Sequence, residues 1–336
     1  MVRLKDIAAQ AGVSVMTVSK ALRGAPDISA QTKTRIRLLA QQLGYVPDSM
    51  AQGLRSRTTK MLGLVLPTVA NPVFARTVSA IEETAHEWGC DLLLAHSLNV
   101  PEREDACIRR LMSRRVDGLL IVPVYRLAPT AAIYEEIAQR QIPTVILGHR
   151  APFCSQFANV ETDDVTGSYL VTRHLLELGH TRIAFLCGPS GAPWALERLE
   201  GYRRALREAQ IEQDDKLVFN AGTWIEEGEK AALQALNESA SMTAIQAAND
   251  MVAIGAANVF LNQGVRIPQD LSIAGFDNIL LSEHFRVPLT TARQPKLRLG
   301  IAAMEIMQKL RRGERGESRR LSTEIIVRAS TAPPKS

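Results

Sequence analysis

The chain has 336 residues, enough for about two domains at roughly 150 residues each. Its 46% hydrophobic content is ordinary for a globular protein, and no stretch is apolar for the roughly 20 residues a membrane-spanning helix needs. The net charge is +5, yet residues 1–60 hold ten Lys and Arg against Asp6, Asp27 and Asp48, a net of +7 that leaves −2 on the remainder. A basic head on a near-neutral body is the electrostatic footprint of a nucleic-acid contact. The start, MVRLKDIAAQ, has basic residues but no apolar run, so it does not read as a secretory signal and the protein is expected in the cytosol. There Cys90, Cys107, Cys154 and Cys187, far apart and without a CxxC pair, are expected as buried small hydrophobes.

Leu4, Ile7, Ala8 and Ala11 fall at helical spacing, and the run stops at Gly12, a residue suited to a left-handed turn. Ser14 reads as the cap of a second helix, VMTVSKALR, ending at Gly24. A third helix begins near Ser29, with Ile36, Leu39 and Leu43 inward and Gly44 closing it. Two short helices joined by a glycine turn and backed by a third predict a helix-turn-helix unit, its second helix in the major groove. Ser14, Val15, Met16 and Thr17 lead that helix, Lys20 is a candidate for a guanine edge or a phosphate, and Arg23 completes the set. Val15 and Met16 are apolar at a helix start; they are either local core or contacts for thymine methyl groups.

The stretch VPDSMAQGLRSRTTK (46–60) looks like a linker, yet Asp48 can cap a short helix running to about Ser56. Gly53 costs such a helix roughly 1 kcal/mol relative to Ala, and two to three turns are already marginal in water. Alone, it is therefore expected to be disordered.

From residue 61 short apolar runs alternate with amphipathic stretches. The runs are LGLVLP (62–67), DLLLAHS (91–97), DGLLIVP (117–123), PTVILG (143–148), RIAFLCG (182–188), AIQAAN (244–249) and LSIAGFD (271–277). Near-continuous apolar strands with intervening helices predict parallel sheets covered on both faces. A break in the rhythm at FCSQFANVETDD (153–164) suggests two α/β lobes with a cleft between. Ligands of such sheets bind beyond the carboxyl ends of the strands. Asn71, Phe74, His149, Arg150, Asp163, Arg198, Trp224, the pair Asn249-Asp250 and the pair Asp277-Asn278 all follow strands or the loops after them. An arginine, several Asp and Asn and an aromatic ring are the equipment for a sugar or another small polar ligand. Asp163 and Asp250 have a plainer reading as helix caps.

Enzyme readings find little support. No GxGxxG follows a strand, GPSGAP lacks the spacing of a nucleophile elbow, and the six histidines form no HxxxH or HExxH cluster. His174 and His180 flank a helix and read as a surface residue and a helix C-terminal cation. No catalytic residue, metal set or cofactor is expected. A transport-type sugar-binding protein would share the two-lobed body but predicts a signal peptide and no basic head. A DNA binder without an effector would have a cleft lined only by apolar or self-satisfied residues.

LKDIAAQAGVSVMTVSKALRG followed by LGYVPDSMAQGLRS resembles the head of the lactose-repressor/galactose-repressor (LacI/GalR) family. NPVF, RRVDGLL, HLLELGHTRIAFLCGP, RLEGYRRAL, AANDMVAIGA, GVRIPQDLSIAGFDN and LTTARQP resemble the effector-binding core of the same family, which is similar to periplasmic sugar-binding proteins. The resemblance implies a small all-α headpiece at 1–46, a hinge helix over 47–60 and an α/β two-lobed, Rossmann-like body at 61–336. Lobe 1 would cover about 61–158 plus 293–320, and lobe 2 about 162–289 plus 323–330. It also implies that Val15, Met16 and Lys20 set operator preference, that Leu54 wedges between base pairs in the minor groove, and that Arg55 and Arg57 hold phosphates. Arg198, Asp277, Asn249, Trp224 and Phe74 match effector-contacting positions. His149 stands where an aspartate is usual and Arg76 where a glutamate is common; this added basic character either hints at an anionic or acidic-sugar effector or is spent on solvent and local acids. The expected protein is a homodimeric repressor of a pseudo-palindromic, double-stranded operator. It would be controlled by a sugar or sugar derivative, independent of any membrane and without the extra tetramer-forming helix, since STAPPKS carries no leucine heptads.

Overall fold

The structure, a computed structural model, describes residues 2–46, 58–238 and 241–335. It divides between Thr59 and Lys60 into two compact units. The expected contacts Leu54 and Arg55, with Asp48, Gly53 and Arg57, lie outside the described residues.

The first unit holds α1 (Leu4–Ala11), α2 (Val15–Leu22) and α3 (Ala30–Gln42). Gly12 takes φ 65, the left-handed conformation that turns α1 toward α2 at no Cβ cost. The Ser14 and Ser29 side chains accept from the Thr17 and Thr32 amides, so each cap satisfies a donor that its helix leaves free. Ile7, Ala8, Val18, Ala21, Ile36 and Ala40 form the core, with Leu39 and Leu43 partly buried against it.

The second unit carries two six-stranded sheets. Its strands are β1 (Met61–Leu66), β2 (Asp91–His96), β3 (Gly118–Ile121), β4 (Thr144–Leu147), β5 (Ala158–Thr162), β6 (Ile183–Cys187), β7 (Val218–Asn220), β8 (Ala244–Ala247), β9 (Ser272–Asp277), β10 (Thr290–Arg293), β11 (Arg319–Leu321) and β12 (Glu324–Ile326). Lobe 1 orders its strands β11-β5-β4-β3-β1-β2 and lobe 2 orders them β12-β10-β9-β8-β6-β7. Every pairing is parallel except β10 with β12. The helices are α4 (Ala75–Glu87), α5 (Pro101–Ser113), α6 (Ala132–Gln139), α7 (Asp164–Glu177), α8 (Pro193–Glu208), α9 (Ile225–Glu238), α10 (Asp250–Asn262), α11 (Leu280–His284) and α12 (Lys296–Arg311). Leu62, Leu64, Val65 and Leu66 of β1 are buried, each contributing about 1.5–3 kcal/mol relative to exposure. That is why β1 reads as a continuous apolar run.

All seven apolar runs form strands. The break at 153–164 is not a gap: it contains β5, whose buried Asn159 and Thr162 disguise it as polar. Asn159 is satisfied there, its Nδ2 donating to the Gly148 carbonyl at 2.9 Å. The chain passes between the sheets three times, at residues 162–164, 293–296 and 321–324.

His180 is not a helix-end cation. It is buried, with Thr243 Oγ1 2.9 Å from Nδ1 and the Ala332 carbonyl 2.8 Å from Nε2, and burial holds its pKa below the usual value. His174 is half-buried beside Thr331 rather than on the surface. Cys90, Cys107 and Cys154 are buried, Cys187 is partly so, and all four are free.

Candidate functional site

Two surfaces carry candidate function. On the first unit, α2 presents Val15 at 46% and Met16 at 59% exposure, so neither belongs to the local core. Ser14 and Thr17 are joined through their hydroxyls at 2.9 Å, which fixes the N-terminal turn that presents them. Lys20 pairs with Asp27 at 2.5 Å, both side chains well exposed. Such a pair is worth little in water and can exchange for a phosphate. Arg23 is exposed and its Nε donates to the Ser19 carbonyl, which leaves the rest of the guanidinium outside that contact.

On the second unit, a cavity of about 420 Å³ lies between the lobes at the carboxyl ends of the strands. Seven of the expected effector residues line it: Asn71, Phe74, His149, Arg198, Trp224, Asn249 and Asp277. The eighth, Asp163, does not. It caps α7, accepting from the Thr166 amide at 3.1 Å, and pairs with Arg320 at 3.2 Å. Its neighbour Asp164 lines the cavity instead. Arg150 is exposed and donates to the Ser155 carbonyl, and Arg76 is exposed outside the lining, so neither adds positive charge to the cavity wall.

The lobe-2 floor is built around Arg198. Gly201 lets α8 approach α7 closely, since a Cβ there would sit 2.3 Å from the Val165 carbonyl oxygen. Ser168 Oγ then donates to the Arg198 carbonyl at 2.5 Å, and the side chain follows. Its Nε and Nη2 reach Asp164 Oδ1 at 2.9 Å, and Nη1 lies 3.3 Å from Asp277 Oδ1. The guanidinium stacks 3.7 Å from the Phe276 ring centroid and 4.8 Å from that of Trp194.

Asp277 ends β9 at φ 110, a conformation Asp tolerates better than most residues. Gln294 Nε2 donates to its Oδ1 at 2.6 Å, and Lys296 Nζ donates to its carbonyl and, at 2.9 Å, to that of Asn278. Burial raises the Asp277 pKa against the opposing pull of Arg198 and Lys296, and burial lowers that of Lys296. Asp250 lies behind the floor, bonded to Thr291 Oγ1 at 2.6 Å and the Ile279 amide at 2.9 Å. Burial, then the charge of Asp277, pushes it up to about 7. Asn249 accepts from the Val252 amide with its oxygen and donates from Nδ2 to the Thr223 carbonyl at 3.2 Å.

The lobe-1 wall is more apolar. Asn71 accepts from the Val73 amide at 3.1 Å, starting the 3-10 turn that carries Phe74 into the cavity. The loop after β3 supplies Pro123, Val124 and Tyr125. Buried Glu104 pins it, accepting from the Val124 amide at 2.7 Å, from Tyr134 Oη at 2.9 Å and from Arg126. Tyr125 Oη in turn donates to the His149 carbonyl at 3.0 Å. His149 Nε2 pairs with Glu197 Oε2 at 3.1 Å and with Asp164 Oδ2 at 3.5 Å. Burial alone would lower its pKa, but the two carboxylates prevail and raise it.

Sequence reasoning missed Asp164, Gln294, Lys296 and Glu197. The doublet Asp163-Asp164 was visible, but which member faces the cleft depends on where α7 starts. Gln294 and Lys296 follow β10, whose buried Thr290 and Thr291 keep it from reading as an apolar strand.

Residues 3–48 match the family described as bacterial regulatory proteins, lacI family, and residues 172–331 match the periplasmic binding protein-like domain. The chain is 33% identical over 330 residues, 98% of this chain and 97% of the relative, to the HTH-type transcriptional regulator DegA of Bacillus subtilis (strain 168). Among solved structures it is similar to the lac repressor dimer bound to operator and the anti-inducer ONPF, at 28% identity and TM-score 0.87 over 98% of this chain and 99% of that one. It is also similar to the transcriptional regulator CelR in its cellobiose complex, at 29% identity and TM-score 0.73 over 98% and 100%. The class is thus a sequence-specific, helix-turn-helix DNA-binding regulator with a periplasmic-binding-protein-like effector domain. The chain belongs to the LacI family of bacterial regulatory proteins.

Proposed function

We propose that this chain acts in the cytosol as a homodimeric repressor whose hold on a pseudo-palindromic operator is set by a neutral sugar or sugar derivative closed between its lobes. The observation that carries the effector class is the saturation of Arg198. Its charge is met by Asp164 and Asp277, so the floor offers acceptors and donors for hydroxyls but no spare cation for a carboxylate or phosphate. Trp194, Trp224 and Phe74 supply faces for the apolar side of a ring. The CelR–cellobiose likeness supports the same class. Asn71, Phe74, His149, Arg198, Trp224, Asn249 and Asp277 are the proposed contacts, with Asp164 taking the place of Asp163.

Ser14, Val15, Met16, Thr17, Lys20 and Arg23 are the proposed DNA contacts, with Leu54 and Arg55 of the hinge at 47–60 reaching the minor groove and its phosphates. Pairing of two chains is supported by the likeness to the lac repressor dimer and by Leu280, 68% exposed on α11 beside exposed Leu281. A thermal-shift screen of sugars, sugar acids and sugar phosphates tests the effector class, because a ligand of the native state raises the melting temperature. Neutral sugars should give the largest shifts; a larger shift with an acid or phosphate would overturn the assignment. Sedimentation should give a dimer at micromolar concentration and a monomer for Leu280→Asp.

A further inference from the structure

We propose that Glu197 of lobe 2, gripped by His149 and Arg320 of lobe 1, is a proton-gated clamp that holds the effector cleft closed while His149 is charged. The contacts cross from one lobe to the other. His149 follows β4 and Arg320 lies on β11, both in the lobe-1 sheet, whereas Glu197 lies on α8, which follows β6 of lobe 2. Arg320 holds the carboxylate with a two-pronged fork, Nη2 donating to Oε2 at 2.6 Å and Nη1 to Oε1 at 3.2 Å. His149 Nε2 meets the same Oε2 at 3.1 Å and reaches Asp164 Oδ2 at 3.5 Å. Two cations of one lobe thus converge on one carboxylate of the other.

The two grips differ in what they can do. The Arg320 side chain is 41% exposed and its guanidinium keeps its charge, so its contact is screened by water and indifferent to pH. The His149 side chain is 7% exposed, where an ion pair is shielded from water and felt more strongly. Around the imidazole, Glu161 comes from β5, Asp163 and Asp164 from the start of α7, and Glu197 from α8. Arg320 answers Glu161, Asp163 and Glu197, while Arg198 answers Asp164 and Asp277, with Lys296 beside the last. Two guanidiniums therefore serve five carboxylates, and a protonated His149 supplies a further positive charge where the lobes meet. Tyr125 touches His149 only at the backbone carbonyl, and Arg150 is turned to the Ser155 carbonyl.

The charges set the sign of the effect. Burial works to lower the His149 pKa, but Glu197, then Asp164, outweigh it and hold the pKa above the ordinary value of 6.5. Burial likewise works to raise the Glu197 carboxyl, and His149 and Arg320 prevail and lower it. A contact that raises the pKa of a base is itself strengthened when that base takes up its proton. The clamp is therefore fully engaged below about pH 6.5 and is lost as the pH rises through the raised His149 midpoint. Asp250, pushed by burial to about 7, loses its contribution on the acid side of this step. An effector held between closed lobes then binds more tightly in the acid part of the range and loosens in the alkaline part. That consequence rests on reading the cleft as the effector site; the clamp itself does not.

The clamp is tested on the full chain without effector, so its failure would leave the effector reading standing. Trp194 and Trp224 line the cleft and Trp88 packs on the lobe-1 core, so Trp88→Phe leaves only reporters of cleft opening. In that background acrylamide quenching should rise about twofold between about pH 6 and about pH 9, and the step should vanish in Glu197→Gln. The His149 imidazole resonance, identified by its loss in His149→Gln, should titrate above 6.5 in the parent. In Glu197→Gln it should titrate about one unit lower, a roughly tenfold weaker hold on the proton. Arg320→Gln should move both midpoints upward, because Glu197 then answers to His149 alone; this exposed substitution serves if Glu197→Gln folds poorly. A parent with no quenching step, a step that persists in Glu197→Gln, or an imidazole that titrates at or below 6.5 overturns the proposal. So does a shifted imidazole with quenching that never changes, which would make the pair a local contact that leaves the lobes where they are.

Discussion

Arg198 and Asp277 meet on the floor of the cavity with Nη1 3.3 Å from Oδ1, both side chains almost wholly buried. Removing the arginine leaves Asp164 and Asp277 uncompensated in a site that already holds Asp250. Arg198→Ala is therefore expected to destabilise the effector body by roughly 3–5 kcal/mol, read as a lower denaturant midpoint. Its loss of effector response is then partly a folding defect. Arg198→Lys should recover part of the stability but not the effector affinity, because a lysine cannot reproduce the planar fork.

Asp277→Asn tests the proposed effector contact. Asn accepts the φ of 110 at this position, whereas Ala would be strained there. A ligand hydroxyl bonded to a charged acceptor contributes roughly 1.5–3 kcal/mol, so effector affinity should fall about 10- to 100-fold by calorimetry. Melting temperature and operator affinity without effector should stay close to those of the parent.

Asp250 gives the effector body a stability that depends on pH. Its carboxyl titrates at about 7 in the fold against 3.8 for a free side chain, so the folded state holds the proton longer. Its contribution is fully present below about pH 4 and is lost as the pH rises toward 7. Asp250→Asn should flatten the denaturant midpoint across that window while the parent declines. An equal decline in both would place the titrating group elsewhere.

The two kinds of residue on α2 should separate in salt titrations. Met16→Ala should weaken operator binding with its salt slope intact, since a methyl contact releases no counterion. Lys20→Ala should weaken binding to all sequences and reduce the slope by about one. Neither should change the melting temperature much, because Met16 is exposed and the Lys20–Asp27 pair is solvated.

What was legible in the sequence followed its periodicities. The Ser14 and Ser29 caps, the Gly12 turn and the seven apolar runs are local signals, and each became the element it announced. β5 and β10 were not legible, because Asn159, Thr162, Thr290 and Thr291 are buried polar residues whose partners come from distant chain segments. The same limit divides the site. Residues right after an evident strand, such as His149, Asn249 and Asp277, could be picked out. Glu197, which meets His149 from the second turn of a helix in the other lobe, could not. His180 was misread for the mirror reason: its place after α7 suggested a cation at the helix end, while Ser272 and the tail around Ala332 enclose it.

The three passages at 162–164, 293–296 and 321–324 leave little slack between the lobes. Tethers this short resist sliding and stretching, so the soft coordinate left is one of rotation about a shared spine. Whatever enters the cleft, its shape, charge and hydroxyl pattern are compressed into a single opening angle. Such a body measures many molecular properties and broadcasts one number.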